Sequence, residues 1–215
     1  TKSFDKFARA TLTSRRSTGS ASGNFSRSET TAYHDNTVKW VIGQVAATTD
    51  VTTGKTMSKT EYDASTAMPV RSESFGFLQQ TLGYNADGTL AWVKDGRGNL
   101  TTVSDWSRGI PRLIDYPTSV SERATVDGIG NILSSTDQLG STTSYGYDVM
   151  GRLTRIAYPV GDTRAWSDTT REFVMVNVAE YGLPAGHWRQ TVRTCDGQTS
   201  TFYVAHSYTV MATTE

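Results

Sequence analysis

Apolar and polar residues alternate in short runs along this chain and never hold a helical period for long. Runs such as "TLAWV", "NILSS" and "RLTRIAY" mix β-branched, aromatic and polar side chains over a few residues, as half-buried strands do. A glycine or proline follows nearly every one, which disfavours helix. Further toward the N-terminus, "TVKWVIGQVAATTDVTTGKTMSKTEYD" alternates around Gly43 and Gly54, and "FVMVNV" (Phe173 to Val178) reads as a short apolar strand. "TSRRSTGSASGNFSRS" (Thr13 to Ser28) is rich in Ser, Gly and Arg and is expected to be a long mobile hairpin tip or loop. The pattern predicts an all-β chain of antiparallel hairpins.

The hairpins repeat. Setting "YNADGTLAWVKDGRGNLTT" (from Tyr84) above "VDGIGNILSSTDQLGSTTS" (from Val126) and "YDVMGRLTRIAYPVGDTRA" (from Tyr147) aligns Gly88, Gly130 and Gly151, and also Gly98, Gly140 and Gly161. The implied missing copy is "DWSRGIPRLIDYP", which places Gly109 in the first glycine column. Gly88, Gly109, Gly130 and Gly151 are therefore evenly spaced, one per two-strand unit. A turn glycine supplies positive φ without a Cβ clash, and an isolated hairpin is marginal in water. Successive units must share one continuous curved sheet. The clearest units span 84–166, with looser β repeats over 1–83 and a β-hairpin region over 171–215, all within one segment, 1–215.

Composition narrows the function classes. Lys plus Arg (21) balances Asp plus Glu (21), so no strongly basic surface points to nucleic acid. Arg15, Arg16 and Arg27 form a candidate phosphate patch, but aromatic interleaving is nearly absent and a solvated loop is the expectation. No apolar run reaches transmembrane length, and "TKSFDKFARA" is no signal peptide. The opening Thr1 fits a piece of a longer chain. Cys195 is the single cysteine, which excludes an internal disulfide.

Candidate chemistry is sparse. In "HWRQTVRTCDGQTSTFYVAH", Asp196-Gly197 signals a two-residue turn. That register places His187 opposite His206 and Cys195 opposite Gln198. Trp188, Val192, Tyr203 and Ala205 share the expected core face, while His187, Cys195, His206, Arg189 and Arg193 share the other. Cys195 lies roughly 26 Å along the strand from His187, too far to share a metal. A stacked or solvated histidine pair and an inert thiol are expected, with no metal, no cofactor and no catalytic residues. Asp87, Asp95, Asp127, Asp137, Asp148 and Asp162 fall on turn columns, where Asp accepts backbone N–H bonds. Trp40, Trp92, Trp106 and Trp166 serve either inter-unit packing or a glycan surface. His34 is unassigned.

"YDVMGRLTRIAYPVGD" resembles the YD repeat, or Rhs repeat, of bacterial Rhs proteins, the B and C subunits of insecticidal Tc toxins, and animal teneurins. Tyr147, Asp148, Gly151, Arg152, Leu153, Thr154, Pro159 and Gly161 carry the resemblance. Degenerate copies begin at Tyr84, Val126 and Phe4, where "FDKFARA" has Ala8 in the glycine column. The resemblance implies a β-ribbon that spirals into a hollow shell around a toxin or effector segment, or that supports adhesion in teneurin-like members. It implies packing tyrosines and turn-forming Asp and Gly, so that Tyr84, Gly88, Gly109, Gly130, Tyr147, Asp148, Gly151, Arg152 and Gly161 are structural repeat residues. No "DPxG" phrase occurs, so no self-cleavage residues carry over and the piece is expected to be non-enzymatic wall. Its implied partners are flanking repeat segments and the enclosed polypeptide, in a bacterial secreted or cell-surface setting. A surface adhesion or carbohydrate-binding module with glycan partners stands as the alternative.

Overall fold

In a computed structural model, residues 2–19, 23–161, 166–203 and 209–214 are described. They form strands and turns, in two compact units, Thr1–Val103 and Ser104–Glu215. The first unit holds β1 (Lys2–Phe4), β2 (Ala10–Gly19), β3 (Gly23–Asn36), β4 (Val41–Asp50), β5 (Thr56–Tyr62), β6 (Pro69–Ser74), β7 (Phe77–Tyr84), β8 (Leu90–Asp95) and the start of β9 (Leu100–Ser107). The second holds β10 (Ile110–Asp115), β11 (Ser121–Val126), β12 (Ile132–Thr136), β13 (Thr142–Tyr147), β14 (Leu153–Ala157), β15 (Thr169–Val176), β16 (His187–Thr194), β17 (Gly197–Tyr203) and β18 (Thr209–Thr214). Within each unit every strand pairs antiparallel with the next, giving a simple curved meander.

One irregularity recurs near the end of the first strand in seven hairpins. The register slips between Ser3/Phe4, Ala32/Tyr33, Glu61/Tyr62, Gly83/Tyr84, Thr125/Val126, Phe202/Tyr203 and Gly146/Tyr147. In the last, Gly146 pairs with Arg155 but Tyr147 with Leu153, so Thr154 is the extra residue. Such bulges sharpen local twist and bend the strand that carries them. At Tyr62, Tyr84 and Tyr147 they put a tyrosine at the last residue of the strand, beside its turn.

Burial is shallow. Every residue of β6 and of β10 is half-buried, where a two-layer protein would alternate between core and solvent. Ala67, Val103, Val176 and Phe202 are the buried apolar residues among those described. The sheets are therefore held through their ladders and turns more than through a thick core.

Two sequence expectations are corrected. Thr13 to Ser28 does make a hairpin, but Thr13–Gly19 and Gly23–Ser28 are regular paired strands, from Thr13–Glu29 and Ser14–Ser28 out to Gly19–Gly23. Its serines and threonines suit a ladder with both faces wet, a role that composition does not separate from a loop. In the β16–β17 hairpin Thr194 pairs with Gly197 and Trp188 with Tyr203, so Cys195 and Asp196 are the corner residues. The expected core face is also reversed. His187, Thr191, Ser200 and Phe202 are buried, while Trp188 stays partly exposed against the stacked ring of Phe173, 5.0 Å away. The 177–186 connection causes this, since Tyr181 packs on Phe202 and Glu180 and Pro184 bond His187. His206 and Ala205 lie outside the described residues.

Two glycines separate clash from strain. A Cβ on Gly83 would fall 2.1 Å from the indole nitrogen of Trp92, its cross-strand partner. Gly98 has φ +92 and open space around it. Gly83→Ala should cost about 1–3 kcal/mol through overpacking, and Gly98→Ala about 1 kcal/mol through strain alone. Urea unfolding of both variants checks this. Only Gly83→Ala should alter the near-ultraviolet signal of tryptophan.

Candidate functional site

The chemistry that recurs is a turn closed by an Asp carboxylate, after bulged strands (Asp5, Asp127, Asp148) and unbulged ones (Asp95, Asp137) alike. In the turn closed by Asp127, Oδ1 accepts the backbone N–H groups of Ile129, Gly130 and Asn131, and Oδ2 accepts the Asn131 side-chain amide. The Asp148 turn repeats it: Oδ1 accepts from Met150 and Arg152, and Arg152 Nε donates to Oδ2 at 2.7 Å. Asp95 holds Arg97 and Asn99 in this way, Asp137 holds Leu139 and Ser141, and Asp5 holds Phe7 and Arg9. Asp87 accepts both the N–H and the hydroxyl of Thr89. Asp162 lies outside the described residues.

The conformation explains the glycine columns. Gly88, Gly130 and Gly151 have φ of 87°, 106° and 75°, and each donates its N–H to the carbonyl three residues before it, on Asn85, Asp127 and Asp148. Gly98 and Gly140 do the same on the alternate turns. Gly109 differs: with Arg108 (φ 52°) it makes a tight two-residue corner between β9 and β10. Gly161, φ 103°, lies in the exposed connection after β14. At Phe4-Asp5 the glycine column is filled by Ala8, which adopts φ 59° and keeps the N–H bond to Asp5.

The bulge tyrosines add a second constant. Tyr33, Tyr62, Tyr84 and Tyr147 each donate the phenol proton to a carbonyl of the preceding strand, on Ala10, Val45, Pro69 and Ile132, at 2.8–2.9 Å. Burial pushes the Tyr84 phenol above its usual range. Sequence gives the tyrosine but not its acceptor, because the target carbonyl belongs to a residue of no fixed type. The Asp-x-x-x-Arg/Asn pairing, in contrast, recurs visibly at Arg9, Asn99, Asn131 and Arg152.

Two arginines carry the contact onward. Arg152 lies 4.8 Å over the ring of Phe173 on β15. Arg9 bonds Asp5 and Asp35 and stacks on Phe7 and Tyr33. Arg9 and then the Gly43 N–H draw Asp35 down to about 2, while the Ser65 hydroxyl and then the Thr66 N–H do the same for Asp63.

Nothing in these networks resembles a reaction centre. Each carboxylate is spent on amides, hydroxyls or a guanidinium of its own neighbourhood. No group of three His, Cys, Asp or Glu residues is placed to hold a metal among the described residues. Cys195 is exposed, beside a groove of about 730 Å³ whose lining holds no histidine or lysine among the described residues. His187 is buried, with Nδ1 at 2.8 Å from the Pro184 carbonyl and Nε2 at 3.1 Å from Glu180, which also accepts Arg189. His34 stacks on Tyr62, ring centroids 5.2 Å apart. No helix is long and apolar enough to cross a membrane.

Within each unit, a sheet extended hairpin by hairpin from Asp-closed turns, with tyrosines tied to the previous strand, is a β-repeat architecture whose recurrent polar contacts are structural. A known repeat matches part of the chain. The RHS Repeat model matches residues 126–163, the stretch holding the Asp127 and Asp148 turns. Human Teneurin-4 is 26% identical over 117 residues, covering 44% of this chain and 4% of the relative, and mouse Teneurin-4 is 27% identical over the same length. Crystal structures of TcdB2-TccC3-Cdc42 and TcdB2-TccC3 share the fold with TM-score 0.55 and 14% identity, over 99% of this chain and 12% of theirs. Residues 126–163 are thus similar to an Rhs repeat, and the chain spans a small fraction of the length of these relatives.

Three outcomes test the turn chemistry. Ala8→Gly should stabilise the protein by about 0.5–1 kcal/mol, by relieving a left-handed alanine. Tyr147→Phe should cost about 1 kcal/mol through the lost phenol bond, and Tyr147→Ala about 3 kcal/mol. The depressed Asp35 and Asp63 contribute stability that is fully present above the ordinary 3.8 and is lost as pH falls through about 2. Denaturant midpoints should hold down to about pH 4 and then fall, with a shallower decline in Asp63→Asn.

Proposed function

We propose that this chain is a non-catalytic wall segment of an Rhs/YD-repeat shell that encloses a toxin or effector polypeptide. The observation that carries the reading is the reiterated turn, bulge and phenol bond, which dedicates the recurrent polar residues to building a sheet. The fold shared with TcdB2-TccC3 supports a shell context, and the chain's small share of its relatives' length supports flanking repeats as its first partners. The setting that follows is outside the cell or at its surface, in a bacterium.

The test is limited proteolysis of the longer parent polypeptide, reading cleavage of the segment beyond the repeats. The wild type should protect that segment, while Gly151→Val and Tyr147→Ala should expose it in proportion to their destabilisation. Asp148→Asn parents that still assemble should keep any activity of the enclosed segment. Equal cleavage in wild type and Gly151→Val would remove the enclosure reading, and loss of a chemical step in assembled Asp148→Asn would remove the non-catalytic one.

The second reading, a carbohydrate-binding adhesion module, draws on the rings of Trp40, Trp166 and Trp188, which are 74%, 48% and 40% exposed. A glycan array on the chain decides it. Specific binding lost in Trp40→Ala or Trp188→Ala favours adhesion.

A further inference from the structure

Three alternate turns of the first unit line a groove of about 460 Å³, a size that suits a small ligand. They lie between β3 and β4, between β5 and β6, and between β7 and β8. The strand residues Val70 and Leu82 give the groove apolar surface, and the turn residues Lys39, Asp63, Asn85 and Asp87 give it polar groups. Each strand from β3 to β8 has a paired neighbour on both sides, so no free strand edge contributes to it.

The groove is held in shape by its own bonds. Buried Asn36 ties the first turn to the second: its Oδ1 accepts the Lys39 N–H at 3.0 Å, and its Nδ2 donates to the Ala64 carbonyl at 2.9 Å. Asp63 Oδ1 accepts the N–H and hydroxyl groups of Ser65 and Thr66, and Asp87 Oδ1 accepts those of Thr89. In both, Oδ2 has no donor among the described residues. The Thr89 hydroxyl and then its N–H hold Asp87 below the usual carboxylate range, as Ser65 and Thr66 hold Asp63, so each free Oδ2 can only accept. Lys39 is exposed and makes no ion pair among the described residues. Trp40, next to it in the turn, has φ 57° and is 74% exposed. A bulky left-handed residue is strained, and here burial does not offset the strain; such cost is kept where a ligand needs it.

We infer that this groove is a subsite for one neutral pyranose ring of a glycan, with Trp40 as the stacking surface at its Lys39 end, an assignment that rests on the carbohydrate-binding reading above. The mixture of charge selects that occupant. A cationic ligand meets Lys39 and an anionic one meets two carboxylates, whereas a neutral polyol offers each its complement. Its hydroxyls donate to Asp63 Oδ2, Asp87 Oδ2 and the Asn85 amide oxygen and accept from Lys39. Its C–H face suits Val70, Leu82 and the Trp40 ring. By strand spacing the Asp63 and Asp87 turns are about 10 Å apart, which leaves room for a sugar ring about 5 Å across with a hydrogen bond of about 2.8 Å on either side.

The experiment is an array of neutral and sialylated oligosaccharides probed with the chain and its variants. Wild type should bind neutral glycans. Asp87→Asn should weaken that binding about tenfold, because a neutral amide replaces a charged acceptor. Asp137→Asn, the same change in a turn outside the groove, should leave it unchanged. Trp40→Asn should lose the binding and yet raise the urea midpoint, because asparagine tolerates the left-handed region. A purely structural Trp40 cannot give those two effects together. Wild-type binding by Asp87→Asn or by Trp40→Asn overturns the proposal, and so does binding confined to sialylated glycans. Binding that falls only in Trp188→Ala overturns the groove and leaves the adhesion reading in place, whereas absence of any binding removes both.

Discussion

A carboxylate that satisfies the amides of its own turn is the interaction on which the rest of this protein depends. Asp127 and Asp148 each collect at least two backbone N–H groups and one side-chain donor four residues on. A turn so closed fixes where the next strand starts, and in the Tyr147 hairpin the bulge beside it sets where the tyrosine falls. The Asn131 and Arg152 N–H groups, with the side chains of the same residues, hold these carboxyls below their usual range against the opposing effect of burial. The charge is therefore part of the fold, since a neutral side chain would accept the same amides more weakly.

That local closure matters because the sheets bury little. With β6 and β10 half-buried throughout, hydrophobic transfer cannot be concentrated in a few deep side chains. The tyrosine bond to the preceding strand and the arginine contacts to Phe173 and Tyr33 take over part of the role of a core. They tie each hairpin to its neighbours by directional bonds. Where a local core does form, around His187 and Phe202, it is made by the 177–186 connection folding back over the sheet.

How much was legible in the sequence follows from the range of each interaction. The turn glycines and aspartates act within five residues, so their spacing predicted hairpins, order and all-β class. Ala8 shows the limit of reading residue type alone, because the turn forms around an alanine at φ 59° when Asp5 and Arg9 are in place. The misread segments depend on distant partners. Thr13 to Ser28 has a loop-like composition, yet its two halves supply each other's ladder. His187 and Trp188 exchanged their expected faces because Glu180, Tyr181 and Pro184 cover one side, and alternation along a strand carries no information about what covers it. The phenol acceptors on Ala10, Val45, Pro69 and Ile132 were invisible for the same reason.

The reach of the phenol bond has a consequence for how such chains change. Tyr84 and Tyr147 reach only to the adjoining strand, and Asp148 no further than its own turn. An in-frame duplication or loss of one whole repeat therefore leaves every other turn, bulge and phenol bond with its partner. Insertion of a single residue inside a repeat breaks all three at once. Such a chain can lengthen or shorten by whole modules without disturbing the turn, bulge and phenol bond inside any one of them.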